Sequence, residues 1–136
     1  MMRIFFRLPF CLLLVMVGAC GTITPLAPED VVARRAQDRW DALIKGDIDA
    51  AYAYLSPAYR RMKSLESYKR GIFGVGIWQK AEVDRVVCER LDVCSVTVLV
   101  TTRLALPRIG TPMESTTPVY ERWIRERDQW WYVPKR

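Results

Sequence analysis

The chain contains no histidine. That absence excludes Ser-His-Asp and Cys-His catalytic sites, His-ligated zinc and any imidazole acid–base step. Long apolar runs are scarce as well. The most apolar uncharged stretch, 8–19, is shorter than the roughly 20 residues a membrane-spanning helix needs. Phenylalanine is nearly confined to the first ten residues, and Phe73 is the only one beyond them. There is no internal repeat and no low-complexity tract. A length of 136 residues allows one domain, not two. Hydrophobic residues at 51% and charged residues at 26% fit a globular chain rather than a disordered one.

What is present begins with an address. Residues 1–19 read as a secretory signal: Arg3 and Arg7 supply a positive start, an apolar run follows, and small residues close it. Val17-Gly18-Ala19-Cys20 resembles a bacterial lipobox, with Val in place of the more usual Leu. The resemblance implies cleavage before Cys20, lipidation of its thiol and acylation of the new amine. Ordinary signal-peptidase cleavage after Val17-x-Ala19, leaving a free protein, is the alternative. Cleavage at Cys20 leaves 117 residues and, with Arg3 and Arg7 gone, reduces the side-chain charge from +6 to +4. Gly21 after the cysteine, by resemblance to Gram-negative sorting, implies the periplasmic face of the outer membrane. A Gram-positive source would imply the outer face of the plasma membrane. Residues 20–28 then form the lipidated cysteine and a proline-punctuated tether, about 25 Å long when extended at roughly 3.3 Å per residue.

Residues 29–136 are expected to form one domain. Pro28, Glu29 and Asp30 suit a helix start, Val32, Ala36, Trp40, Leu43 and Ile44 share a face, and Gly46 closes the helix. Asp47 caps a second short helix, Ser56-Pro57 ends it, and Ser64 caps a third. After Gly71 the period changes. A strand is expected over 77–87 with a bulge near Gln79-Lys80, and 94–104 alternates strictly. A Pro/Gly/Thr-rich loop is expected over 107–117, then a hairpin of 119–126 and 130–133 turning at Arg127-Asp128-Gln129. Helices followed by antiparallel strands predict an α+β domain. If Cys88 faces Cys94 across the second hairpin, Val86 faces Val96 on the same side. A disulfide fits that register, and an extracytoplasmic compartment permits it. Two reduced, buried cysteines are the alternative.

Trp40-x-Ala42-Leu43-x-x-Gly46-Asp47-x-Asp49-Ala50-Ala51 resembles the first two helices of nuclear transport factor 2-like domains, the superfamily of ketosteroid isomerase-like and polyketide cyclase-like proteins. Leu55-Ser-Pro-Ala-Tyr59, Glu121-Arg-Trp-Ile124 and Trp130-Trp-Tyr-Val133 extend the likeness over roughly 30–133. It implies N-terminal helices packed on a curved antiparallel sheet, a cone with a pocket between the layers. Members of that superfamily are enzymes, small-molecule binders or interaction modules, and fold does not choose among them.

An enzyme would need a carboxylate inside the cone. Asp38, Glu82, Asp84 and Glu121 are candidates, with Tyr52 and Tyr120 as hydrogen-bond donors. Asp84 shares the parity of Val86 and Cys88 and is expected to face inward. The competing role for Asp84 and Glu121 is ion pairing with Arg85, Arg103 or Arg122. The pocket residues, if a pocket exists, are Trp40, Tyr52, Trp78, Asp84, Tyr120 and Trp123. Otherwise these aromatics are ordinary core. The basic groups Arg34-Arg35, Arg60-Arg61-x-Lys63, Lys69-Arg70 and Lys135-Arg136 suit anionic lipid head groups or a solvated surface. The compartment argues against nucleic acid. The expectation is a non-enzymatic envelope lipoprotein, with no cofactor or metal, that binds a protein partner or a small apolar ligand. A ketosteroid isomerase-like or cyclase-like enzyme, or a scaffold subunit of a secretion or envelope-assembly complex, is the alternative.

Overall fold

In the computed structural model, which describes residues 25–105 and 110–135, a proline sets where the first helix begins. Pro28 occupies the first turn of α1 (Pro28–Lys45), where a missing N–H costs nothing. Glu29 and Asp30 stand at its positive end and Lys45 at its negative end. Gly46, at φ +76°, turns the chain out of the helix and donates its N–H to the carbonyls of Ala42 and Leu43. Val32, Ala36, Arg39, Trp40 and Leu43 form the buried stripe.

Three six-residue helices follow: α2 (Ile48–Ala53), α3 (Pro57–Met62) and α4 (Leu65–Arg70). Each is nucleated by a side-chain cap, which helices this short require. Asp47 accepts from the Ala50 N–H, Ser56 from Tyr59 and Ser64 from Ser67.

The second half is one antiparallel sheet in the order of the chain: β1 (Trp78–Arg90), β2 (Val93–Leu104), β3 (Met113–Glu126) and β4 (Gln129–Val133). The alternation of β2 carries through, with Cys94, Val96, Val98 and Val100 buried under α1. Across the β2–β3 ladder Cys94 lies beside Trp123 and Val96 beside Glu121. Cys88 and Cys94 are direct partners in the β1–β2 ladder and form a disulfide. Arg127 and Asp128, both at positive φ, make the two-residue turn into β4.

The expected cone-shaped, nuclear transport factor 2-like arrangement of helices on a curved sheet is not what the chain adopts. Strand dominates the described residues, at 42% against 34% helix. Only α1 is long enough to lie along the sheet. Of the three short helices, α2 buries only Ala51, α4 buries only Tyr68 and α3 buries nothing. Between α1 and the strands the centre is filled by Trp40, Trp123, Trp130 and the Arg39–Glu121 pair.

Two local expectations are also corrected. The ladder shifts between Val83 and Arg85, so Asp84 is the extra residue of a bulge. The parity count that turned it inward fails there, and Asp84 is exposed. The loop expected over 107–117 is partly strand, since β3 starts at Met113. Residues 113–118 are exposed on both faces and show no apolar period. Pairing with β2 holds them instead, through the Thr101–Thr116 hydroxyl pair at 2.9 Å and the Arg103–Glu114 ion pair at 3.7 Å.

Candidate functional site

The carboxylate of Glu121 is enclosed in the core, with its side chain 1% exposed. Alternation on β3 puts Glu121 and Trp123 on the helix side, and adjacent residues on α1 bring Arg39 and Trp40 to meet them. Arg39 Nη1 donates to Glu121 Oε1 at 2.6 Å, and Trp40 Nε1 donates to the same oxygen at 2.8 Å. Trp123 Nε1 donates to Oε2 at 2.9 Å. The Arg39 guanidinium also lies over the Tyr132 ring at 3.9 Å and donates to the Tyr68 hydroxyl at 3.4 Å.

Burial works against the charge of Arg39, but Glu121, Tyr68 and Tyr132 outweigh it and hold the guanidinium above its ordinary pKa. Burial also pushes the Tyr132 hydroxyl up to about 12, against the pull of Arg39. With three donors and no exposure, the Glu121 carboxylate has no room to meet a substrate. Its partner is Arg39 on the helix, not one of the sheet arginines the sequence suggested.

The six aromatic and acidic residues expected to line a pocket do not converge. Trp40, Trp78 and Trp123 share one buried cluster, with Trp40 and Trp78 edge to face at 5.4 Å. Tyr52 faces the short helices, where its hydroxyl donates to the Lys63 carbonyl at 2.7 Å. Tyr120 alternates with Glu121 and so stands on the outer face of the sheet, 60% exposed beneath the Lys135 amine. Asp84 is in the bulge. The lipidation candidate Cys20 lies outside the described residues.

Chemistry collects elsewhere, at the edge strand β4. The chain pins α3 to that edge by backbone hydrogen bonds: Ser56 N–H donates to the Tyr132 carbonyl and Tyr132 N–H to the Tyr54 carbonyl, each at 2.9 Å. This brings the Arg60 guanidinium over the Trp131 ring at 5.3 Å from its centroid. From the second turn of α1, Arg35 arrives at the same ring at 5.5 Å and at the Tyr54 ring at 4.9 Å. It is fixed by Nε donating to the Trp130 carbonyl at 2.8 Å.

Arg35, Arg60, Trp131, Tyr54 and the methyls of Ala50 and Ala53 line a cleft of about 380 Å³. A second cleft of about 340 Å³ shares Trp131 and Gln129 and adds Arg61, Arg127 and Glu126. Among the described residues none of these four arginines forms an ion pair. Arg60 Nε is buried without a hydrogen-bond partner among them. Burial lowers the pKa of Arg35, and Tyr54 and Asp38 only partly offset it. The other basic groups are dispersed: Lys69 is held by Asp49 at 2.7 Å, and Lys135 lies across the sheet.

The sequence marked Arg35, Arg60 and Arg61 as basic clusters but missed Trp131 as their meeting point. The only signal was composition, because the contact joins the two ends of the domain.

Among the described residues no group of His, Cys, Asp and Glu side chains is placed to hold a metal. None of their helices is long and apolar enough to cross a membrane. No family model and no curated protein matches the chain. Among solved structures the chain is similar to a SEC-C motif containing protein from Rhodopseudomonas palustris. The TM-score is 0.52 at 13% identity, over 74% of this chain and 73% of that one. At such identity the likeness concerns the fold alone. That protein is described as containing a SEC-C motif. The earlier family resemblance therefore gives way: its short helical motif describes α1 and its exit, which a different fold also uses.

Proposed function

We propose that the chain is a non-enzymatic binding domain of the bacterial envelope, whose ligand brings an anionic group to the cleft over Trp131. One observation carries the binding half: two guanidinium groups from separate elements converge on one indole, and among the described residues no carboxylate is paired to either. Arginine on an aromatic face, partly desolvated, is suited to gripping an anion. The sequence led to the expectation of a protein partner or a small apolar ligand; the two arginines in the cleft favour a ligand that carries an anionic group.

The envelope half rests on the sequence. Arg3, Arg7, the apolar run and the Val17–Cys20 box supply the address, and Cys20 is the anchor to the periplasmic face of the outer membrane. Mass spectrometry of the mature chain tests that half, and an unmodified Cys20 would refute it. For the binding half, the Trp131 indole resonance, identified with Trp131→Phe, is followed while inorganic sulfate and succinate are added. The expected result is a saturable shift that Arg60→Gln weakens about tenfold, the loss of one charge-assisted contact. No saturable shift with either anion would refute the reading.

A further inference from the structure

Resting on that reading, the geometry points to an organic phosphate as the group the cleft is built to take. A carboxylate offers two oxygens on one edge, and a single guanidinium fork satisfies it. A phosphoryl group offers three oxygens directed apart and can engage guanidinium groups arriving from different sides. Here they arrive from α1 and α3, and Arg61 and Arg127 line the adjoining cleft, against the single acid Glu126.

The floor is of another kind. The Trp131 and Tyr54 rings and the Ala50 and Ala53 methyls suit a carbon skeleton attached to the phosphate rather than inorganic phosphate alone. The volume fits one small molecule. The same chemistry has two sources in an envelope, a soluble phosphomonoester and the phosphomonoester head of phosphatidic acid. Arg35 is seven residues into α1, about 10 Å from the end where the tether enters, so a lipid head group is within reach.

The test uses the full chain in neutral dodecyl maltoside micelles and reads the Trp131 indole resonance. The soluble arm adds sn-glycerol 3-phosphate, the lipid arm dopes the micelles with phosphatidic acid, and succinate is the carboxylate control. Glycerol phosphate is expected to bind about tenfold more tightly than succinate. Arg60→Gln should remove most of that preference, and Arg60→Lys, which keeps the charge but loses the fork, should reduce it. Circular dichroism of both variants reports whether the fold is kept. A response in the soluble arm alone assigns a soluble phosphoester, and a response in both arms assigns the lipid head. Equal binding of succinate and glycerol phosphate would overturn the phosphate assignment while leaving anion binding intact. No response to any of the three would overturn both.

Discussion

Replacing Arg39 by Met tests how the core holds its charges. The wild-type pair is separated by 2.6 Å, with side chains 5% and 1% exposed. Methionine fills much of the arginine stem's volume, so the change acts chiefly on charge. It leaves the Glu121 carboxylate buried with two indole donors and no cation. Breaking a buried pair from one side costs about 3–5 kcal/mol, a large part of the roughly 5–15 kcal/mol that holds a domain of this size. At about 4 °C per kcal/mol the midpoint of thermal unfolding should fall by about 12–20 °C.

Glu121→Leu should be worse. It leaves the Arg39 charge uncompensated and removes the acceptor of Trp40 and Trp123, each orphaned indole costing a further 1–3 kcal/mol or so. The double variant keeps the two orphaned indoles but no lone charge, so it should be more stable than Glu121→Leu alone. Urea unfolding followed by circular dichroism measures all three. If Arg39→Met lies within about 1 kcal/mol of the parent, as an exposed pair would, or if the double variant is no better than Glu121→Leu, the reasoning is wrong.

Three further outcomes are expected. Tyr132 titrates at about 12 in the fold, against about 10 in an unfolded chain. The fold therefore favours the neutral phenol, and that stabilisation is complete below about pH 10 and lost as pH rises toward 12, about 3 kcal/mol in all. Tyr132→Phe should flatten the alkaline stability curve, and identical curves would refute the link. Reducing the Cys88–Cys94 bridge should cost about 2 kcal/mol for so short a loop, read as a lower urea midpoint with dithiothreitol. Gly74→Ala should cost about 1–3 kcal/mol, because a Cβ there would stand 1.8 Å from the Trp78 ring. The ring must then leave Trp40, and a red-shifted tryptophan emission reports it.

What could be read in advance follows from the range of each signal. α1 was legible because its proline, its acidic first turn, its apolar stripe and Gly46 all lie within one segment. β2 was legible because its period is unbroken, and the disulfide because counting residues back from the hairpin pairs Cys88 with Cys94. Counting failed at Asp84, where one bulged residue reverses parity. The first half of β3 has no apolar face to count, so it read as loop. Glu121 was marked as an acid, but its partner is 82 residues away, and nearby sheet arginines looked as plausible. The cleft was hidden for the same reason: Arg35 and Arg60 were visible as charges, and only the docking of α3 on β4 turns them toward Trp131.

The buried carboxylate has a consequence for how the strands find their alignment. Residues 113–118 carry no pattern that tells one offset from the next. If β3 paired with β2 one residue out of step, every side chain on it would change face. Glu121 would go to water together with Trp123, and Tyr120 or Arg122 would enter the space beside Arg39, leaving the Arg39 guanidinium and the Trp40 indole without their carboxylate acceptor. The mismatch is electrostatic, so it is severe for a single step in either direction. Glu121 thus proofreads a strand whose own sequence is nearly mute, and it does so from the middle of the core.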